Sequence, residues 1–321
     1  MRISKLLCLL LLTVLLFSFA VPLQAAAAEA MDPDIPVSLT ITYTDKGEPL
    51  TEAVFSVYRV ATMDKNGRFT LTAPFSGYNL DLSSPTDAAW AALATTLEGY
   101  VLRDKILPTA TGKTDEEGNL TLPTGSGILR QGLYLVVGQR HTQNGMIYET
   151  CPFLLHLPTL SEESGEWIYD NAVHPKHEST PDNDEPITRK VLKVWEDDGY
   201  EKQRPKDITV QLLRDGEVYD TVILNAENEW RYTWDELDAD YHWTVAEKEL
   251  EDYTVLVTQE GVTFVITNSF VPPTTPPPPT PTPPTPPPRL PQTGQLWWPV
   301  PVLLVLGLFF VATGLLRRKD S

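Results

Sequence analysis

The sequence predicts a mainly β protein: two tandem immunoglobulin-like or prealbumin-like sandwiches, the first with one inserted helix, followed by a C-terminal transmembrane helix. Three observations carry this expectation. Residues 187–270 alternate apolar and polar side chains in short runs, the period-two signature of strands with one buried face. Residues 32–177 hold more such runs but one helical stripe. Residues 296–316 are almost wholly apolar, and about 21 residues make a helix of roughly 31 Å, the thickness of a hydrocarbon core.

Taken in order, the chain opens with a short basic stretch, Met1 to Lys5, then an apolar run from Leu6 to Phe19, then small residues from Ala25 to Ala28. That order predicts a cleaved signal peptide over residues 1–28, since the apolar run is too short to cross a bilayer. In the first region, strands are expected at Val37–Tyr43, Ala53–Val60, Leu133–Val137, Phe153–Leu157 and Trp167–Val173. Between them Ser84 can cap a helix, Pro85 suits its first turn and Asp87 meets its positive end. Trp90, Leu93, Leu97 and Val101 fall on one face of that helix, expected to pack on the sheet. The polar, proline-bounded segment Ser179–Pro186 is expected to be a linker between the regions.

In the second region the alternation is clearest at Ile208–Leu212, Val218-Tyr219, Trp230–Trp234, Trp243–Val245 and Val262–Ile266, with turns at Arg214-Asp215-Gly216 and Asn225–Glu229. Residues 271–289 are nearly all Pro and Thr, so they predict an extended polyproline stalk about 60 Å long. Leu290-Pro291-Gln292-Thr293-Gly294 follows, then the apolar span, in which Trp297 and Trp298 suit the outer interface. The basic tail of residues 317–321 holds the end in the cytoplasm.

The formal net charge is −18, and processing at both ends would remove Arg2, Lys5, Arg317, Arg318 and Lys319 against one acid, Asp320. So acidic a surface argues against nucleic acid as a partner. After loss of Cys8 with the signal peptide, Cys151 is alone, so no intramolecular disulfide is possible; it is expected in the core. His174 and His177 have a ligand-like spacing without a supporting carboxylate or cysteine cluster, so no metal is expected. No Ser-His-Asp grouping and no phosphate-cradling glycine loop stands in the sequence. The chain is expected to be no enzyme and to need no cofactor.

The pentapeptide, apolar span and basic tail together resemble the cell-wall sorting signal of Gram-positive surface proteins. The resemblance implies that a sortase cleaves after Thr293 and passes its acyl group to an amine, either of a peptidoglycan precursor or of a neighbouring pilin subunit. The protein would then be secreted and covalently fixed to the wall, the membrane span serving as a temporary tether.

Lys193-Val194-Trp195-Glu196-Asp197-Asp198-Gly199, Arg204-Pro205, Val210-Gln211-Leu212-Leu213, Trp230, Trp243-Thr244-Val245-Ala246-Glu247 and Ile266-Thr267-Asn268 resemble a Cna protein B-type domain across the whole second region. That family often forms an isopeptide bond between a lysine on its first strand and an asparagine on its last, beside an acidic residue. The resemblance places these roles on Lys193, Asn268 and Glu247, the last as proton shuttle. Burial would favour a neutral amine and a protonated acid, and Trp195 would supply a dry wall. Gly132–Val137, Pro152–Leu155 and Trp167–Lys176 resemble the N-terminal domain of wall-anchored major pilins. Tyr43 and Gly138 stand where that domain would need its lysine and glutamate, so no such bond is expected there. Trp167, Val173, Pro175 and Lys176 match the pilin motif, with Asn171 and His174 departing from it; the resemblance makes Lys176 the acceptor lysine. A pilus subunit is the function so implied. The alternative is a monomeric wall-anchored adhesin that binds a host-surface or matrix ligand.

Overall fold

Alternation builds the first strands. In a computed structural model of the chain, which describes residues 31–272 except 84, 85, 162 and 184, β1 (Ser38–Thr42) buries Leu39 and Ile41 and leaves the residues between them half-covered. A tight hairpin, β2 (Thr44–Asp45) and β3 (Glu48–Pro49), leads into the long β4 (Val54–Met63) and β5 (Phe69–Leu71). Helix α1 (Asp87–Arg103) follows. Then come β6 (Ala110–Lys113), β7 (Asn119–Leu122), β8 (Gly132–Gly138), β9 (His141–Gln143), β10 (Met146–Thr150) and β11 (Phe153–Leu157). The short β12 (Thr159–Leu160) and β13 (Trp167–Ile168) precede β14 (Asp170–Val173) and β15 (His177–Pro181).

One sheet of this region runs β14-β1-β7, and a second runs β11-β8-β4-β5 with β6 on β4. Their facing sides enclose a core of Leu39, Ile41, Phe55, Val57, Leu122, Tyr134 and Val136. The other side of β4 and β8 presents Val60, Leu133, Leu135 and Val137 to α1. Buried on both faces, β8 reads as the unbroken apolar run Leu133–Val137.

Seven strands follow: β16 (Ile187–Glu196), β17 (Asp207–Arg214), β18 (Glu217–Asn225), β19 (Arg231–Leu237), β20 (Trp243–Glu247), β21 (Tyr253–Glu260) and β22 (Thr263–Phe270). They form a sandwich of β19-β16-β22-β21 on β18-β17-β20 around Val210, Leu212, Trp234, Val245, Phe264 and Ile266. The first and last strands, β16 and β22, are parallel neighbours. The β17–β18 turn uses Asp215 and Gly216, both at positive φ, as a two-residue hairpin of this hand requires. The molecule is thus mainly β, with α1 the single α-helix among the described residues.

Three expectations are corrected. The helix is capped by Thr86, whose hydroxyl accepts from Ala89 N at 3.2 Å, and not by Ser84, which lies outside the described residues with Pro85. Asp87 does occupy the first turn. The expected linker is a strand over its first part: β15 pairs with β10, Thr180 opposite Ile147. Pairing therefore continues to Pro181 because Glu178, Ser179 and Thr180 supply backbone hydrogen bonds while their side chains stay in water. Cys151 is exposed, not core, because it sits at the bend between β10 and β11.

The helix does more than cover its own sheet. Leu93, Leu97 and Val101 pack on β4 and β8 as expected, but the same apolar cluster includes Leu213 and Ala246 of the second sandwich, with Leu256 against it. Gly99 lies so close to β20 that an added Cβ would collide with the Val245 carbonyl. Thr96 Oγ1 accepts from Val257 N at 2.8 Å, closing part of the free edge of β21. His242 completes the joint. It lies 3.5 Å from Glu98 on α1 and 3.3 Å from Glu149 on β10. The two sandwiches therefore share a layer.

No helix among the described residues is long and apolar enough to cross a membrane. The expected signal peptide, most of the expected stalk, Leu290 to Gly294 and the expected span over 296–316 all lie outside those residues.

Candidate functional site

The site is made by continuing three apolar rows one step too far. On β16 the inward positions are Val191 and then Lys193; on β20 they are Trp243, Val245 and then Glu247; on β22 they are Phe264, Ile266 and then Asn268. Parallel pairing sets Lys193 opposite Ile266 and Trp195 opposite Asn268, while β20 reaches the same layer from the facing sheet. Strand periodicity thus delivers three polar side chains to one end of a dry core. Lys193 is 4% exposed, and Glu247 and Asn268 are fully buried.

Their contacts are specific. Asn268 Nδ2 donates to Glu247 Oε1 at 2.5 Å, and Lys193 Nζ lies 3.8 Å from Glu247 Oε2. The lysine also donates to the carbonyls of Val194 at 2.9 Å and Ile266 at 3.2 Å. Glu247 Oε2 and Asn268 Oδ1 are buried with no hydrogen-bond partner. Turning the carboxamide over would give Oδ1 to a protonated Glu247. Trp195 closes the outer side, its ring centre 4.3 Å from Nζ, with Trp230 and Tyr253 edge-on to it.

Burial drives both ionisable groups toward neutrality. It pushes Lys193 down to about 7, against the pull of Glu247, and it raises the Glu247 carboxyl above its usual range. Both shifts run toward the uncharged forms, so burial favours the neutral amine beside a protonated acid.

The other expected residues are separate from this centre. Lys176 is exposed after β14, its backbone carbonyl held by Cys151 N at 3.0 Å. It stands on the rim of a groove of about 680 Å³ lined by Trp90, Phe153, Leu155, His156 and Pro175. Val173 pairs with Ile41, and buried Asn171 ties Thr159 to Ile168 through its side chain. Tyr43 is buried in the first core, where its hydroxyl accepts from Thr150 at 3.0 Å. Two residues acquire a place that sequence reasoning did not give them. Asp197 is buried and receives two hydrogen bonds from Arg204. A carboxylate and a guanidinium seven residues apart, flanking a glycine turn, are the only sign of this in the sequence.

Residues 189–269 match the Cna protein B-type domain. The matched residues run from within β16 to within β22, so the resemblance spans the second sandwich. A segment of 86 residues, 25% of this chain, is 35% identical to the Collagen adhesin of Staphylococcus aureus and spans 7% of that protein. Among solved structures, the chain is similar to a single B repeat unit of the collagen binding surface protein of S. aureus, at 19% identity and a TM-score of 0.26, covering 74% of this chain and 99% of that one. It is also similar to the full-length major pilin SpaD of Corynebacterium diphtheriae, at 16% identity and a TM-score of 0.29, covering 74% and 65%. A third is the SpaE basal pilin of Lactobacillus rhamnosus GG, at 11% identity and a TM-score of 0.30, covering 71% and 85%.

Proposed function

We propose that the chain is a sortase-processed structural protein of the Gram-positive cell surface, a pilus subunit joined to its neighbours through Lys176 and Thr293 and stiffened by an amide between Lys193 and Asn268. The observation that carries this reading is the buried contact of Lys193, Glu247 and Asn268. Three polar side chains at the end of an apolar core are costly unless they react or pair fully, and two acceptor atoms here are unpaired.

The burial of the three groups together supports the following chemistry. The neutral Lys193 amine attacks Cγ of Asn268 while protonated Glu247 polarises the carboxamide oxygen. A C–N bond forms to the lysine, the original C–N bond breaks, and the amide nitrogen leaves as ammonia. Glu247 takes a proton from the amine and returns one to the leaving nitrogen, so it ends as it began. The intact mass of the folded chain should be lower than the sequence requires by one ammonia, and Lys193→Ala should abolish that deficit. A wild-type chain at full sequence mass would rule the amide out.

Polymerisation is tested apart from the amide. Cells should yield a ladder of high-mass species that survives boiling in detergent and vanishes with Lys176→Ala. An unchanged ladder in that variant would exclude Lys176 as acceptor. The second reading, a monomeric wall-anchored adhesin, draws on the local similarity to the collagen adhesin. It needs Thr293 alone and yields a single wall-released band.

A further inference from the structure

The Lys193 amine has a clamp beside it to which the amide reading gives no role. Asp197, next to the end of β16, is 3% exposed and accepts two hydrogen bonds from Arg204, at 2.6 Å from Nη2 and 2.9 Å from Nε. Tyr253 on β21 donates to the same carboxylate at 3.4 Å. So fixed, the guanidinium lies over the Trp195 ring, 5.1 Å from its centre, and the Lys193 nitrogen lies 4.3 Å from the same centre. Two cations on one indole share a single negative quadrupole. The arrangement suits one permanent cation, Arg204, and an amine that can give up its charge.

We propose that Arg204 and Asp197 are positioning residues for the Lys193 reaction: the bidentate pair clamps Trp195 over the amine, and the balance of its two charges sets how readily that amine is neutral. This rests on the amide reading above and deepens it. The groups that face Lys193 are Glu196 and Asp197 from its own chain segment, Glu247 from β20, and Arg204 from the segment before β17. Beyond Glu247 lies Glu249, which is itself paired with Arg103 of α1. Of these, Arg204 disfavours the ammonium, and Asp197, Glu196 and Glu247 favour it.

The test uses the full chain, recovered unfolded and unreacted from inclusion bodies and refolded across a pH series, with ammonia loss followed by intact mass. The rate should be flat around neutrality and fall at alkaline pH, where the Glu247 carboxyl no longer carries a proton. Arg204→Gln removes the positive charge and leaves Asp197 unpaired. It should slow the reaction about tenfold at neutral pH and move the alkaline limb up by about one pH unit. Asp197→Asn should move the limb down, and the double variant should return it near the wild-type position. Arg204→Lys keeps the charge but not the fork. It should restore the limb while the reaction stays slower. A uniform slowing with an unmoved limb in both single variants would leave the pair a purely structural role and overturn the proposal, as would unchanged kinetics. If Arg204→Gln does not refold, the direction of the Asp197→Asn shift decides alone. A wild-type chain that refolds without losing ammonia would sink the amide reading itself, a different result from any of these.

Discussion

The two sandwiches solve the same problem at the end of their cores in different ways. In the first, Tyr43 buries a neutral phenol edge-on to Phe55 and His177 and hydrogen-bonds Thr150. In the second, Lys193 and Glu247 bury an amine and an acid that stay there only by neutralising each other. A neutral hydrogen-bonded group is cheap to enclose, whereas an ion pair is expensive. The two core ends thus enclose different groups: a phenol and a hydroxyl in the first, an amine, a carboxyl and a carboxamide in the second.

Four substitutions test that contrast, in order of decreasing effect. Lys193→Met keeps most of the side-chain bulk but prevents the amide, which would close a loop of about 75 residues. That closure is worth roughly 4–5 kcal/mol, so the melting temperature should drop by roughly 10–20 °C. An unchanged melting curve would mean that the second sandwich is no more strongly tied than the first. Gly99→Ala drives a methyl into the Val245 carbonyl and should cost about 1–3 kcal/mol by urea titration. Because the strain falls on the layer between the sandwiches, both should lose cooperativity together; loss of one alone would show that they unfold separately.

The third concerns His242. Burial alone would lower its proton affinity, but Glu98 and Glu149 hold it up at about 10. The folded protein keeps a proton that an unfolded imidazole sheds near ~6.5. This contribution is complete below that value and is lost as pH rises toward about 10. The wild-type melting temperature should decline through that window by a few degrees more than that of His242→Gln. Equal slopes would remove the ion pair from the joint. The smallest effect is expected in the first core, where Tyr43→Phe deletes one buried hydrogen bond and should cost about 1 kcal/mol by the same titration.

Much of this architecture could be read from residue order. The alternation in β17, β20 and β22 reflects one wet and one dry face. The continuous run in β8 reflects two dry ones. The stripe of Leu93, Leu97 and Val101 found its sheet. The opposite face of α1 could not be read, because Thr96, Glu98, Gly99 and Arg103 carry the marks of a solvent face. Thr96, Glu98 and Gly99 are buried and Arg103 half-buried, because they are small or because they find partners: Val257 N for Thr96, His242 for Glu98, and Glu249 with the Glu247 carbonyl for Arg103. Hydropathy has no signature for a polar surface that another sandwich completes. For the same reason β15 passed as a linker: its side chains are those of a loop and only its backbone is in a sheet. Lys193, Glu247 and Asn268 were singled out by the resemblance to the B-type domain; each interrupts an apolar row, and all three are buried. The Asp197–Arg204 clamp was not, since a charged pair beside a turn looks like ordinary surface.

The shared helix has a consequence for modularity. A fragment starting at Ile187 would contain every strand of the second sandwich yet lack α1. Leu213, Ala246 and Leu256 would meet water together, and the backbone edge of β21 would lie open for pairing with any extended chain. Such a fragment should self-associate, and grafting it intact into another protein would require Asp87–Arg103 to travel with it. The strands of residues 187–270 thus leave exposed an apolar surface that only the preceding helix covers.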